Sequence, residues 1–228
     1  MAQEEIIKQV VSQVLAQLGK NSESPMGEKQ ADMMTEGKRI VCNYSNRHCH
    51  ICREDLDILY GPGYQLTPLK DLRQPGEFAT REFVTILGPT GQTLPVRILG
   101  PVRKKTQVEI SRSDSFHLKI QNVPVRESGK VEGSPGAVLA GPLGAVTLKE
   151  GVIIAWRHIH LTPDDAKYFG VRDRDMLKVR VESPERTVIF EKVIARVKPT
   201  YALEMHIDVD EANAAGAGQG ARATIIRE

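Results

Sequence analysis

The chain has 228 residues, of which 40% are apolar and 26% charged, with a formal net charge of +2. Such a composition is that of a soluble globular protein, with room for one large domain or two of about 90 to 100 residues. The balanced charge gives no basic field for nucleic acid, aromatics at 5% are too few for base-stacking platforms, and no segment approaches the roughly 18 unbroken apolar residues of a membrane span.

Residues 4 to 19 read as an amphipathic helix. Ile6, Ile7, Val10, Val11, Val14, Leu15 and Leu18 recur at helical spacing, and Glu4, Glu5, Lys8, Gln9, Ser12, Gln13 and Gln17 fill the other face. Polar residues interrupt the apolar run too often for a secretory signal. The stretch from Lys20 to Lys38 lacks large aliphatics and reads as a flexible linker. A short helix on such a tether either folds back on the body or docks on another protein; docking is the preferred reading. Cys42, Cys49 and Cys52 cannot all pair with one another, which fits a reduced cytoplasmic setting.

From Arg39 the texture changes to short β-prone runs separated by Gly-Pro turns, including 83–87, 96–99, 146–148, 151–155, 177–181, 187–197 and 202–207. Strands this short and frequent predict small barrels or sandwiches. Short helices are expected over 53–60, closed by Gly61, and after Thr162-Pro163-Asp164-Asp165, closed by Gly170.

A His-x-His pair occurs twice, as Ser45-Asn46-Arg47-His48-Cys49-His50-Ile51 and Ala155-Trp156-Arg157-His158-Ile159-His160-Leu161. Alternate side chains on a strand share a face, so each pair sets two imidazoles side by side, and neutral imidazole is a favoured zinc ligand. The segment from Arg97 to Asp114 lines up with that from Ile194 to Glu211, which makes Glu109 equivalent to His206. Each half thus offers three metal-capable side chains: His48, His50 and Glu109 in the first, His158, His160 and His206 in the second. Three ligands leave coordination open, and a pseudo-twofold relation would bring both sets together. Cys49, between two ligands on a strand, should face the core, and Cys52 should lie in a turn. His117 reads as a surface residue. Arg47 and Arg157, one before each pair, should face away from the ligands. Arg103, Lys104 and Lys105 form a basic trio that alone would mark only a solvated face.

The segments SNRHCHI, GPGYQLTPLKDLRQPGEFAT, ILGPVRKKTQVEISRSD, VPVRESG, GSPGAVLAGP, VTLKEGVIIAWRHIHLTPDDAKYFGV and ALEMHIDVDEANAAG resemble the PduL-type phosphotransacylases, the phosphate propanoyltransferases. The resemblance runs from about Val41 to Gly216. It implies two tandem β-barrels, a dinuclear zinc site with two ions per chain, coenzyme A as acyl carrier, and acyl exchange between coenzyme A and inorganic phosphate. It also implies residence in the lumen of a bacterial microcompartment in the cytoplasm, with residues 1–20 as an encapsulation helix that meets shell or lumen proteins. The same resemblance implies metal ligation by the six residues above and phosphate binding by Arg103. Cys49 and Cys52 stand where valine and serine are usual in similar sequences.

The expected architecture is therefore mainly β. It comprises a helix over 1–20, a linker over 21–38, and duplicated small barrels over 39–130 and 131–228 with short capping helices and room for strand exchange. A homo-oligomer is expected, with neither nucleic acid nor membrane as partner. Phe116 is a candidate stacking surface for coenzyme A. The alternatives are a dinuclear zinc hydrolase of esters or phosphate esters, and a zinc-stabilised interaction module without catalysis. Without a visible Ser-His-Asp set, direct attack by phosphate is preferred to an acyl-enzyme.

Overall fold

The computed structural model describes residues 38–226, so the helix expected over 1–20 and nearly all of the linker lie outside the described residues. Two β systems carry the body. A closed barrel runs in the order β1 (Ile40–Ser45), β14 (Glu204–Asp208), β11 (His158–Leu161), β13 (Val188–Val197), β12 (Met176–Glu182) and β15 (Ala221–Ile226). A nine-stranded sheet runs β7 (Val125–Arg126), β10 (Val152–Ala155), β6 (Gln107–Glu109), β2 (His48–Cys52), β5 (Thr93–Arg103), β4 (Phe78–Leu87), β8 (Ala137–Ala140) and β9 (Ala145–Leu148), with β3 (Pro68–Asp71) paired to β4. The fold is mainly β with barrel-like sheets, as the short punctuated runs predict.

Sheet membership does not follow chain order. β1 joins the barrel, pairing parallel with β14 and antiparallel with β15, whereas β2, which follows it, lies in the other sheet. β10 does the reverse: it pairs parallel with β6 and β7, and the chain then enters the barrel as β11. The two exchanges are equivalent in register, with Asn43 beside His206 and Ile153 beside Glu109.

The long strands alternate buried and exposed residues, as in β12, where Leu177, Val179 and Val181 are buried. Each β system has its own core. One gathers Cys49, Ile51, Leu56, Leu59, Ile86, Ile98 and Val108, the other Ile40, Cys42, Ile159, Leu161, Val179 and Met205. β2 and β11 are buried at every position, because one face packs on its core and the other faces a cleft.

Helices α1 (Arg53–Tyr60) and α3 (Pro163–Phe169) follow β2 and β11 at the places expected. Thr162 and Asp165 cap α3 reciprocally, and Gly170 ends it at φ 64°, where a Cβ is disfavoured. Helices α2 (Arg112–Leu118) and α4 (Val209–Ala215) complete the duplication and were not anticipated. Their signal is a capping box in each case, Ser111 with Asp114 and Asp208 with Glu211. Cys52, expected in a turn, is instead the last residue of β2 and the N-cap of α1.

Candidate metal centre

Strand pairing explains why the candidate ligands converge. β2 lies between parallel β5 and antiparallel β6, which puts His48 opposite Glu109 and His50 opposite Gln107. β11 lies likewise between β13 and β14, which puts His158 opposite His206 and His160 opposite Glu204. Facing cross-strand pairs on one side of a sheet approach closely enough to share a ligand. His48, His50 and Glu109 bring ligand-type atoms within 4.8 Å of one another, and so do His158, His160 and His206. Both sets line one cleft of about 740 Å³. The structure thus brings together all six side chains singled out by the repeated motif.

The chain itself assigns the imidazole tautomers. His48 Nδ1 lies 2.9 Å from the Asn46 carbonyl and His158 Nδ1 lies 2.7 Å from the Trp156 carbonyl. A carbonyl oxygen can only accept, so Nδ1 carries a proton in both rings, and in the neutral form of each Nε2 presents a lone pair. In the second set the Nε2 atoms of His158 and His160 face each other at 2.9 Å. The buried Nδ1 atoms of His50 and His160 meet no protein hydrogen-bond partner. Burial first, then the neighbouring positive groups, hold His50 and His158 down to about 3 and His160 to about 2. Burial also opposes protonation of His48, but the adjacent Glu109 charge outweighs it and raises the ring overall. Burial would raise Glu109, yet His48 and His50 hold its carboxyl well below the usual carboxylate range. Convergent imidazoles, of which His50, His158 and His160 are held neutral by burial, buried nitrogens without partners and a buried carboxylate make a donor set that fits zinc.

Carboxylate and amide groups brace both sets. Gln107 Nε2 donates to Glu109 Oε1 at 2.6 Å and to Ser128 Oγ at 2.7 Å, while its Oε1 accepts from Gly129 N at 2.7 Å. Glu204 Oε2 lies 2.8 Å from His206 Nε2, and the carboxylate also accepts from Asn43 Nδ2 at 2.6 Å and Gln74 Nε2 at 2.7 Å. Sequence reasoning missed Gln107 and Glu204. Their available signal was position, since each stands two residues before a ligand and therefore on the same strand face.

Arg103, at the end of β5, lines the same cleft; Nη2 donates to Glu77 Oε1 at 2.8 Å and Nη1 to Ser128 Oγ at 3.3 Å. Lys104 and Lys105 are exposed outside the cleft lining. Phe116, on α2, is 68% exposed and does not line the cleft either. His117 is exposed beside it. Cys49 is fully buried in the core, and none of the three cysteines lines the cleft. Arg47 points to α2, gripping Asp114 Oδ1 and Oδ2 at 2.7 and 3.0 Å. Arg157 repeats this on α4, donating to Glu211 Oε1 at 2.6 Å. Each arginine thus ties the loop before a His-x-His strand to the capping acid of the helix after the third ligand.

The chain is 57% identical over 176 residues to the phosphate propanoyltransferase of Thermotoga maritima, covering 77% of this chain and 83% of the relative. It is 50% identical to that of Enterococcus faecalis (80% and 86% covered) and 48% identical to that of Citrobacter freundii (83% and 89% covered). The sequence model for phosphate propanoyltransferase matches residues 41–218, which takes in β10, all of β1 but Ile40, all six candidate ligands and Arg103. On that match and these identities, the chain belongs to the phosphate propanoyltransferase family.

Proposed function

We propose that the protein exchanges a short acyl group, propanoyl or acetyl, between coenzyme A and inorganic phosphate, with two zinc ions per chain held by His48, His50 and Glu109 and by His158, His160 and His206. The observation that carries this reading is that both three-donor sets and the Arg103 guanidinium line one cleft. When bound, such ions supply charge neutralisation and Lewis acidity.

The chain's own groups do the rest. Lys70, Arg73, Arg97, Arg103 and Arg196 around the cleft suit two anionic substrates. Arg103 offers a planar fork that fits phosphate oxygens and the oxyanion of a tetrahedral transition state. An oxygen of hydrogen phosphate forms the new bond to the thioester carbon, the carbon–sulfur bond breaks, and the departing thiolate takes the proton that the phosphate gives up, yielding acyl phosphate and free coenzyme A. Direct attack is favoured over an acyl-cysteine. Burial pushes the Cys42 thiol up to about 12 and raises Cys49 and Cys52 as well, so none is poised as a thiolate.

The test is release of free thiol from propanoyl-coenzyme A with and without phosphate. Release that requires phosphate and yields propanoyl phosphate is expected. Equal release without phosphate would identify the hydrolase instead, and no release by metal-loaded protein would leave the non-catalytic module. Arg103→Lys should raise the phosphate requirement sharply, because an ammonium lacks the planar fork.

Residues 1–20 are proposed to deliver the enzyme, as a homo-oligomer, to the lumen of a bacterial microcompartment. What supports this is the aliphatic stripe of the segment and its polar tether. A fusion of residues 1–20 to an unrelated soluble protein that stays outside the compartment would sink the idea.

A further inference from the structure

We propose that Glu204 is the positioning residue of the second donor set, and that the two halves of the centre place their carboxylate at different positions two residues apart, on the ligand in the first half and on its supporting partner in the second. This rests on the reading of the cleft as a dinuclear metal centre. Register makes Glu109 equivalent to His206, and Gln107 equivalent to Glu204: the first pair lies opposite His48 and His158, the second opposite His50 and His160. In the first half the ligand is the carboxylate and the partner a neutral amide. Gln107 holds Glu109 Oε1 at 2.6 Å, leaving Oε2 at 3.3 Å from His48 Nε2. In the second half the third ligand is the imidazole of His206 and the carboxylate stands at the partner position.

Glu204 is built for that place. It is 3% exposed, Oε1 accepts from Asn43 Nδ2 at 2.6 Å, and Oε2 accepts from Gln74 Nε2 at 2.7 Å. Gln74 is itself held, donating to the Ala202 carbonyl at 3.0 Å and accepting from Ala202 N at 3.2 Å. With both oxygens anchored, Oε2 sits 2.8 Å from His206 Nε2 as an ion-pair contact, outside hydrogen-bond angles in the metal-free fold. A carboxylate against a ligating imidazole orients the ring and makes it a better donor. The consequence is one buried carboxylate per half beside each cation, delivered by the ligand in one half and by its partner in the other. A mere strut between β14 and the Gln74 segment would have no reason to alternate with its counterpart.

Zinc-loaded protein, titrated with a chromophoric chelator, should release two equivalents from the unaltered chain. Glu204→Gln should release one of them at about tenfold lower chelator concentration, with the other retained and the melting temperature of the metal-free chain little changed. Adding His206→Glu to Glu204→Gln reproduces the first half's pattern and should restore retention of the second equivalent. In the reciprocal arm, Glu109→His should weaken the first site and added Gln107→Glu should recover it, a comparison independent of whether Glu204→Gln folds. Equal retention by Glu204→Gln, or failure of both double variants to recover what the singles lose, would overturn the assignment. An equal fall in metal-free stability and in the hold on both ions would also overturn it, in favour of a structural strut. Fewer than two equivalents in the unaltered chain would instead overturn the dinuclear reading itself.

Discussion

The metal-free protein should lose stability steeply between pH 7 and pH 5, well above the range where carboxylates titrate. His50, His158 and His160 ionise in the fold at about 3, about 3 and about 2, against a reference of 6.5, because burial penalises the cation. The unfolded chain therefore takes up protons first, so stability is present above pH 6.5 and is lost as pH falls towards 3. Between pH 7 and pH 5 each such imidazole costs about 2 kcal/mol of folding free energy, or about 5 kcal/mol for three partly coupled rings, before opposing contributions. His48, raised by Glu109, works in the opposite direction, as do Asp208 and Glu211, whose carboxyls burial raises. A net loss of about 3 kcal/mol is a large share of a domain's stability of roughly 5 to 15 kcal/mol. Urea unfolding of chelator-treated protein at pH 7, 6 and 5 measures it, with an unchanged denaturant slope confirming that the unfolded state is the same. His160→Asn, which cannot take up the proton, should flatten the profile by about one imidazole's share. A flat or rising stability towards pH 5 would show that the rings are charged in the fold, and the lone-pair argument for the ligand sets would fail.

Two further outcomes follow from the packing. At Gly88 a Cβ would stand 1.8 Å from the Leu118 carbonyl oxygen, so Gly88→Ala should cost about 3 kcal/mol or more by thermal melting, whereas Gly218→Ala, facing open space, should stay within about 0.5 kcal/mol. A double-mutant cycle on Arg47→Ala and Asp114→Asn should give a coupling of about 1 to 3 kcal/mol, reduced from the buried-pair value because Arg47 is 34% exposed; additive effects would show that the bidentate contact contributes nothing.

The site was more legible than the scaffold that holds it. Two imidazoles on one strand face follow from period two alone, and duplication exposed Glu109 and His206 by alignment of one half with the other. Arg103 was not legible from charge, since a run of Arg103, Lys104 and Lys105 does not reveal which side chain enters a cleft; only the family resemblance singled it out. Phe116 shows the converse limit, because an exposed aromatic carries no record of what lies opposite. Helices α2 and α4 escaped a search for apolar periodicity because each has only seven residues, too few to display it, although their capping boxes were in plain view. The exchange of β1 and β10 between sheets left no local signal. A strand's residues record that one face is buried, not which sheet supplies the neighbour.

That exchange has a mechanical consequence. The chain passes from β1 to β2 through Asn46 and Arg47 alone, and from β10 to β11 through Trp156 and Arg157 alone. Both passages lead directly into His48 and His158, and the carbonyls of Asn46 and Trp156 orient those rings. Two residues of extended chain span only about 7 Å, so the covalent backbone acts as a pair of short straps between the barrel and the sheet. Should the barrel and the sheet rock against each other, the mouth of the cleft would widen while the spacing of the two imidazole pairs held nearly constant. A bulky thioester could then enter and leave without pulling the donor sets apart.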